Sequence, residues 1–129
     1  MRRLTCAIVE DEPLAIQMLD GYISRRPDLI LISVINNIPD FQAITKTTSH
    51  DIVFLDFKIP GFDGDIAKIL DRISPTSLII STSASPISFF NESEKTEASS
   101  QVVELLKPFS FERFSACIDS LLQTNNTYL

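Results

Sequence analysis

Short apolar runs alternate with longer, mostly amphipathic segments along the chain. The apolar runs predict five strands, at residues 4–9, 29–35, 51–57, 77–82 and 102–106. The segments after them predict five helices, at residues 13–26, 38–47, 63–73, 86–100 and 111–123. Continuous apolar strands separated by amphipathic helices are typical of a parallel sheet covered on both faces. The expected fold class is therefore α/β, with a doubly wound five-stranded parallel sheet.

One predicted strand contains a carboxylate. Five of the six residues from 52 to 57 are apolar, and the exception is Asp56. A charge inside a buried strand is costly unless neighbouring groups stabilise it. The position of Asp56 therefore raises the question of which groups surround it.

Polar residues follow the other predicted strands, at the edge where ligands bind to open parallel α/β sheets. They are Glu10, Asp11 and Glu12 after the first strand, Asn36 and Asn37 after the second, Ser81, Thr82 and Ser83 at the fourth, and Lys107 and Pro108 after the fifth. Because the carboxyl ends of parallel strands share one edge, acids, hydroxyls and one lysine are expected to meet there. The sequence therefore predicts a site that includes Asp56.

The residue types at this edge suit phosphoryl chemistry. Several adjacent carboxylates repel one another unless a cation neutralises them or they take up protons. Magnesium binds through one or two carboxylates together with waters and phosphate oxygens. A carboxylate such as Asp56 can act as a nucleophile and form an aspartyl phosphate. Lys107 and the hydroxyl of Ser83 are able to contact the same phosphoryl group.

The charge balance limits the partners of the chain. Its 17 acidic and 11 basic residues give a net charge of −6, which argues against nucleic-acid binding by this chain itself. The arginine pairs at positions 2–3 and 25–26 are interpreted as solvated ends. No apolar run approaches the length of a membrane span, and no export signal is evident, so a cytoplasmic location is expected.

The thiols and the imidazole offer no clear metal centre. Cys6 and Cys117 both lie in apolar patterns and are expected to be buried free thiols rather than a disulfide or a metal site. The single histidine, His50, has no second histidine or cysteine near it in the sequence. It is therefore a poor candidate for a metal ligand.

Four motifs together resemble the receiver domain of two-component response regulators. They are IVEDEP, VFLDFKIPGFDG, STSAS and LLKPF, and the similarity covers nearly the whole chain. The resemblance implies a flavodoxin-like sheet with strand order 2-1-3-4-5 and five surrounding helices. It implies a receiver domain at residues 1–123, with 124–129 as a C-terminal tail or the start of a linker. The opening VEDEPLA is similar to regulators whose output domain is of the LytTR DNA-binding type.

The resemblance also implies roles for matching residues. Asp56 matches the phosphoacceptor, Ser83 the switch hydroxyl, and Lys107 the lysine of the family. Pro108 matches a proline that often follows this lysine through a cis peptide. The implied magnesium ligands are three acidic side chains and one backbone carbonyl, from Glu10, Asp11, Asp56 and Lys58.

Two features depart from the usual pattern of the family. Glu10 occupies a position that is often aspartate, and Glu104 occupies a switch position that usually carries Tyr or Phe. The aromatic ring moves inward together with the switch hydroxyl, whereas a glutamate cannot pack inward cheaply. The segment 85–101 is also polar and rich in serine. The readout of phosphorylation is therefore expected to differ from the usual one.

The resemblance implies signalling rather than conventional turnover. A histidine kinase or a phosphotransfer protein would donate the phosphoryl group, and self-catalysed transfer and dephosphorylation would occur at Asp56. A conformational change would then reach a partner or an output domain beyond residue 129, with transcriptional control as one outcome. A homodimer would use the α4-β5-α5 face, formed by the fourth predicted helix, the fifth strand and the fifth helix.

Three other functions are alternatives to this one. A pure protein-interaction module with a vestigial acidic site stays open because of Glu104. A phosphatase of the haloacid-dehalogenase class is less favoured, because Lys58 stands where its second aspartate would be and the chain lacks a cap domain. A flavodoxin-like nucleotide binder is disfavoured, because the loop after the first strand is acidic and has no glycine-rich phosphate cradle.

Overall fold

The protein is described by a computed structural model that covers residues 2–62, 66–71, 73–84 and 102–124. The described residues form five strands: β1 (Leu4–Val9), β2 (Leu29–Ile35), β3 (Ile52–Leu55), β4 (Leu78–Ser81) and β5 (Val103–Glu104). All neighbouring strands pair in parallel, in the order β2-β1-β3-β4-β5. The predicted sheet and its strand order are therefore confirmed.

Helices connect the strands and follow the last one. The described residues contain four helices rather than the five expected: α1 (Pro13–Ser24), α2 (Ile38–Ile44), α3 (Ile66–Leu70) and α4 (Phe111–Thr124). The predicted helix at 86–100 lies outside the described residues, as do residues 63–65 and 72 of the predicted third helix. None of the four described helices combines the length and the apolar character that a membrane span needs.

Two apolar clusters cover the two faces of the sheet. One joins Val9, Val53 and Leu55 of the strands to Phe41 of α2 and Ile69 of α3. The other joins residues of the opposite strand face to α1 and α4, and it includes Ile8, Phe54, Ile80, Leu19, Ile23, Phe114 and Ile118. Since successive strand residues point to opposite faces, burial of both faces explains the continuous apolar runs.

The apolar runs extend beyond the hydrogen-bonded strands at their carboxyl ends. β3 contains only four residues, although Asp56 and Phe57 after it are also buried. β5 contains two residues because it pairs with β4 only at Val103 and Glu104. Burial in the predicted strands therefore continues into the first residues of the loops at this edge.

Side-chain caps fix where the first two helices begin. The carboxylate of Glu12 accepts hydrogen bonds from the backbone N–H groups of Leu14 and Ala15, so α1 begins directly after the acidic loop. The side chain of Asn37 accepts the N–H of Asp40 at 2.8 Å and caps α2. Both caps lie next to the carboxyl ends of β1 and β2, so they help to set the loops at that edge.

A glycine turn holds the loop after β3 against α2. Gly61 has a φ of +91°, and a Cβ atom there would lie 2.7 Å from Cδ of Pro39. The backbone N–H of Ile38 also donates to the carbonyl of Pro60 at 3.0 Å. A side chain at Gly61 would therefore be strained and would push the loop away from α2.

One arginine predicted to be solvated is instead largely buried and paired with acidic residues. The Arg26 side chain is 11% exposed and forms ion pairs with Asp28 at 2.7 Å and Asp119 at 2.9 Å. It also donates to the hydroxyl of Ser115 at 2.7 Å. The prediction is wrong at this position because the partners on α4 lie far away in the sequence.

The two cysteines are free, as predicted. Cys6 is buried in the strand face that packs on α1 and α4, whereas Cys117 is half-buried on α4. Burial raises the pKa of both thiols, so the neutral thiol form is favoured at each position.

Candidate functional site

Four side chains from separate loops meet at the carboxyl edge of the sheet. Glu10 follows β1 directly, Asp56 follows β3, Ser83 lies two residues beyond β4, and Lys107 lies three residues beyond β5. The four residues are linked by the hydrogen bonds described below. The structure therefore brings together the acids, the hydroxyl and the lysine that the sequence predicted at this edge.

Hydrogen-bond donors reach both carboxylate oxygens of Asp56. Oδ1 accepts the hydroxyl of Ser83 at 2.9 Å and the backbone N–H of Lys58 at 2.8 Å. Oδ2 accepts the ammonium of Lys107 at 3.3 Å. The Asp56 backbone N–H donates to the carbonyl of Val9 at 3.0 Å, which ties its position to β1. These contacts explain how a carboxylate that is only 6% exposed keeps its charge.

Ser83 links the β3 loop to the β5 loop. Its hydroxyl oxygen accepts the backbone N–H of Phe57 at 3.2 Å while it donates to Asp56. Its carbonyl oxygen accepts the backbone N–H of Lys107 at 3.1 Å. A movement of Ser83 would therefore disturb both loops at once.

Lys107 bridges the two buried acids. Its ammonium forms an ion pair with Glu10 in addition to its contact with Asp56. Glu10 is fully buried, and its second oxygen accepts the backbone N–H of Asp11 at 3.2 Å. The peptide bond between Lys107 and Pro108 is cis, in agreement with the expectation from the sequence.

Three of the predicted metal ligands lie close enough to share one cation. One carboxylate oxygen each from Glu10, Asp11 and Asp56 can be chosen so that all three lie within 4.8 Å of one another. Asp11 is exposed, whereas the other two residues are buried, so the cluster faces solvent on one side. An all-oxygen set of this kind fits a hard divalent cation. For Lys58, the structure places the backbone N–H next to Asp56, and the role of its carbonyl stays a prediction.

The electrostatic environment shifts the pKa values of the two buried acids, Glu10 and Asp56, in opposite directions. Burial raises the pKa of Glu10 to about 7, and its hydrogen bond with Asp56 acts in the same direction against the opposing effect of Lys107. Burial would also raise the pKa of Asp56, but the hydrogen bonds from Glu10 and the Lys58 N–H, together with the charge of Lys107, hold it below its usual value. Asp56 is therefore the acid that stays ionised most readily.

Lys107 also stays charged in this environment. Burial by itself would lower the pKa of its ammonium, but the hydrogen bond to Glu10 and the charge of Asp56 raise it above its usual value. A fixed positive charge thus lies between the two carboxylates.

Glu104, which the resemblance places at the switch position, lies at the end of the last strand. Glu104 is exposed and pairs in register with Ser81 of β4. Leu105, the next residue, is buried, and its N–H donates to the carbonyl of Ser81 at 2.8 Å. The β5 backbone is thus anchored to β4, while the Glu104 side chain faces solvent.

Two polar residues near or opposite the site were not predicted to matter. Thr82 is fully buried beside Ser83, and its hydroxyl has no hydrogen-bond partner among the described residues. His50 is 3% exposed and forms a hydrogen bond with Ser33 at 2.9 Å. The only signal in the sequence was the presence of polar residues beside apolar strands, which does not reveal their partners.

One family model matches most of the chain. Residues 6–119 match the family model described as the response regulator receiver domain. Sensory transduction protein LytT of Oceanobacillus iheyensis is 29% identical over 122 residues, which make up 93% of this chain and 48% of that protein. The chain therefore spans about half the length of this curated relative.

Solved structures show the same fold. The response regulatory domain of protein mrkE from Klebsiella pneumoniae has a TM-score of 0.75 at 21% identity, covering 94% of this chain and 97% of that chain. The receiver domain of sensor histidine kinase PA1611 from Pseudomonas aeruginosa has a TM-score of 0.69 at 14% identity, covering 92% and 96% respectively. That receiver domain has a magnesium ion coordinated in its active site cleft.

Proposed function

The chain belongs to the response regulator receiver domain family, and on this premise we propose that it takes up a phosphoryl group on Asp56. The donor is the phosphohistidine of a histidine kinase or of a phosphotransfer protein. The observation that carries the proposal is the set of contacts around Asp56: Ser83 and the Lys58 N–H on Oδ1, and Lys107 on Oδ2. A buried carboxylate held in its ionised form by such donors is suited to act as a nucleophile.

A divalent cation such as magnesium fits the acidic cluster. Glu10, Asp11 and Asp56 would hold it, with the Lys58 carbonyl as a further ligand. When bound, the ion supplies positive charge that reduces the repulsion between the acids and compensates the charge of the phosphoryl oxygens. The mutual proximity of three carboxylate oxygens supports this part of the proposal, because such a group is costly without a cation.

The transfer exchanges one bond to phosphorus for another. An oxygen of Asp56 forms a bond to phosphorus while the bond between phosphorus and the donor histidine nitrogen breaks, and the histidine nitrogen keeps the electron pair. Lys107 offers its ammonium to the phosphoryl oxygens from a position already in contact with Asp56. Ser83 offers a hydroxyl donor on the other side of the carboxylate.

The signal leaves the site through the loop after β4. The Ser83 hydroxyl can exchange its bonds with Asp56 and Phe57 for a bond to the phosphoryl group, because it already donates to the carboxylate that would carry that group. The Ser83 carbonyl is bonded to the Lys107 N–H, so this exchange reaches the end of β5. Phosphorylation would then shift the population between two conformations.

The receiver is proposed to control an attached or separate output. The chain spans about half of the LytT relative, which leaves room in such a protein for a second domain after a linker that begins near residues 124–129. A DNA-binding output of the LytTR type and a cytoplasmic location fit this arrangement. Glu104 replaces the usual aromatic reporter. An output domain, or a homodimer through the face formed by the predicted helix at 86–100, β5 and α4, would therefore sense phosphorylation through a charged position.

The test is phosphorylation by a small donor. Acetyl phosphate with magnesium should add one phosphoryl group to the protein, as detected by intact mass, and peptide mapping should place it on Asp56. Asp56→Asn should abolish the addition, whereas Asp20→Asn, which changes an exposed acid on α1, should leave it unchanged. A mass increase that survives Asp56→Asn would contradict the proposal.

A pure interaction module is the second candidate, because Glu104 is exposed where a reporter ring is usual. In that case the protein would bind its partner equally well with and without acetyl phosphate. Magnesium binding that is lost in Asp11→Asn would argue against this candidate, since a vestigial site has no need of a metal.

A further inference from the structure

A cavity lies at the opposite edge of the sheet from Asp56. Its volume is about 340 Å³, and it is bordered by the connection from α2 to β3 and the connection from α3 to β4. The apolar part of its lining comes from Phe41, Val53 and Ile73. The other eight lining residues are polar or charged, so the cavity combines an apolar patch with a polar wall, and clefts of this size are suited to small molecules.

The polar part of the lining has an unusual charge for this protein. It contains the cation Lys46 and no carboxylate, although acidic residues outnumber basic ones by 17 to 11 in the whole chain. Lys46 is exposed and forms no ion pair among the described residues. The carboxylate of Asp51, which follows the lining residue His50, already accepts hydrogen bonds from the guanidinium of Arg2 and the backbone N–H of Thr5.

Internal hydrogen bonds occupy several of the hydroxyls around the cavity. Thr45 donates to the carbonyl of Gln42 at 2.9 Å, and Ser77 donates to the carbonyl of His50. Thr48 and Ser49 also line the cavity, and neither side chain has a hydrogen-bond partner among the described residues. These two hydroxyls are therefore available to a ligand that reaches Lys46.

His50 gives the cavity a neutral polar wall. Its ring forms a hydrogen bond with Ser33, and burial lowers the pKa of the imidazole, while the charge of Asp51 opposes this effect. The ring is therefore uncharged at neutral pH and adds no second cation. Lys46 is the single positive group of the lining under these conditions.

We propose that this cavity binds a small organic anion. An apolar ring or branched chain would contact Phe41, Val53 and Ile73, and one carboxylate or phosphate group would pair with Lys46 and the hydroxyls of Thr48 and Ser49. The proposal goes beyond the phosphorylation of Asp56 and does not depend on it, since no residue is shared between the two sites.

The test is a titration of the isotope-labelled protein followed by NMR. Benzoate is expected to shift the backbone amides of residues 45–50 and 73–77 and to saturate, whereas neutral benzamide should bind more weakly by roughly fivefold, as expected for loss of one exposed charge pair. A third titration with phenyl phosphate shows whether the cavity prefers a phosphate or a carboxylate group, by comparison of its affinity with that of benzoate. Asp56→Asn should bind benzoate like the original protein, which separates this proposal from the phosphorylation proposal.

Substitution of Lys46 tests its role directly, and substitution of Lys68 is the matched control. Lys46→Gln should weaken benzoate by roughly fivefold and leave benzamide unchanged, because the substitution removes only the charge. Lys68→Gln, which changes an exposed lysine on α3 outside the cavity lining, should leave both affinities unchanged. Absence of saturable shifts, equal affinity for benzoate and benzamide, or an unchanged affinity in Lys46→Gln would each overturn the proposal.

Discussion

The hydroxyl of Ser83 donates to Oδ1 of Asp56 at 2.9 Å, and the same oxygen of Ser83 accepts the backbone N–H of Phe57 at 3.2 Å. Ser83 is fully buried, so water cannot replace either bond when the hydroxyl is removed. This single hydroxyl therefore joins the loop after β4 to the carboxylate proposed to accept the phosphoryl group.

Replacing Ser83 by alanine should uncouple phosphorylation from its structural consequence. Ser83→Ala should still accept a phosphoryl group at Asp56, because Lys58 and Lys107 keep their contacts with the carboxylate. The amide shifts that beryllofluoride, a phosphoryl mimic, induces at Leu105 and Lys107 should be largely lost. Ser83→Thr keeps the hydroxyl and should retain most of these shifts. Shifts in Ser83→Ala as large as in the original protein would show that Ser83 does not carry the signal.

Asp11 should be needed for magnesium but not for the fold. Asp11→Asn removes one of three close carboxylates, so magnesium affinity should fall about tenfold or more, which corresponds to about 1.4 kcal/mol. Without magnesium, the same substitution should leave the free energy of unfolding unchanged or raise it, because repulsion within the cluster decreases. Calorimetric titration and urea unfolding measure the two effects. An unchanged magnesium affinity in Asp11→Asn would remove Asp11 from the ligand set. The control, Asp20→Asn, changes an exposed acid outside the cluster and should leave the magnesium affinity unchanged.

Replacing Thr82 by valine should stabilise the protein. Its hydroxyl is buried without a partner among the described residues, and leaving such a group unpaired costs about 1–3 kcal/mol. Thr82→Val keeps the branched shape and removes the hydroxyl, so the free energy of unfolding should rise by part of this amount, as measured by urea denaturation. Thr82→Ser keeps the hydroxyl and loses a methyl group, so it should be less stable than the original protein. A loss of stability in Thr82→Val would mean that the hydroxyl is in fact satisfied.

The fold and the core of the site could be predicted because both follow from one regularity. Strands buried on both faces read as continuous apolar runs, and the carboxyl ends of parallel strands share an edge. Once the strands were placed, Glu10, Asp56, Ser83 and Lys107 had to lie near one another. The apolar runs overestimated the strands, because Asp56 and Phe57 are buried without belonging to β3.

The partners of single polar residues could not be predicted in the same way. Arg26 looked like part of a solvated pair, but Asp119 and Ser115 on α4 reach it from about ninety residues away in the sequence. His50 likewise lies in a polar stretch, and its ring bonds to the hydroxyl of Ser33 on β2, 17 positions away in the sequence. Pairwise contacts of this kind depend on the tertiary fold and leave no periodic signal.

His50 should make the stability of the protein depend on pH. Burial lowers the pKa of its imidazole from the usual 6.5, with Asp51 opposing the effect, so the folded protein resists protonation at this position. The unfolded chain takes up a proton as the pH falls through about 6.5, whereas the folded chain does so only at a lower pH. The stability contributed by neutral His50 is therefore fully present above about pH 6.5 and is progressively lost below it, down to the folded pKa. Because the chain has one histidine, an NMR titration of the imidazole reports this pKa without ambiguity, and a midpoint at or above 6.5 would contradict the prediction. The glutamine of His50→Gln does not titrate. The unfolding free energy of the original protein minus that of His50→Gln should therefore fall as the pH is lowered from about 7.5 to about 5.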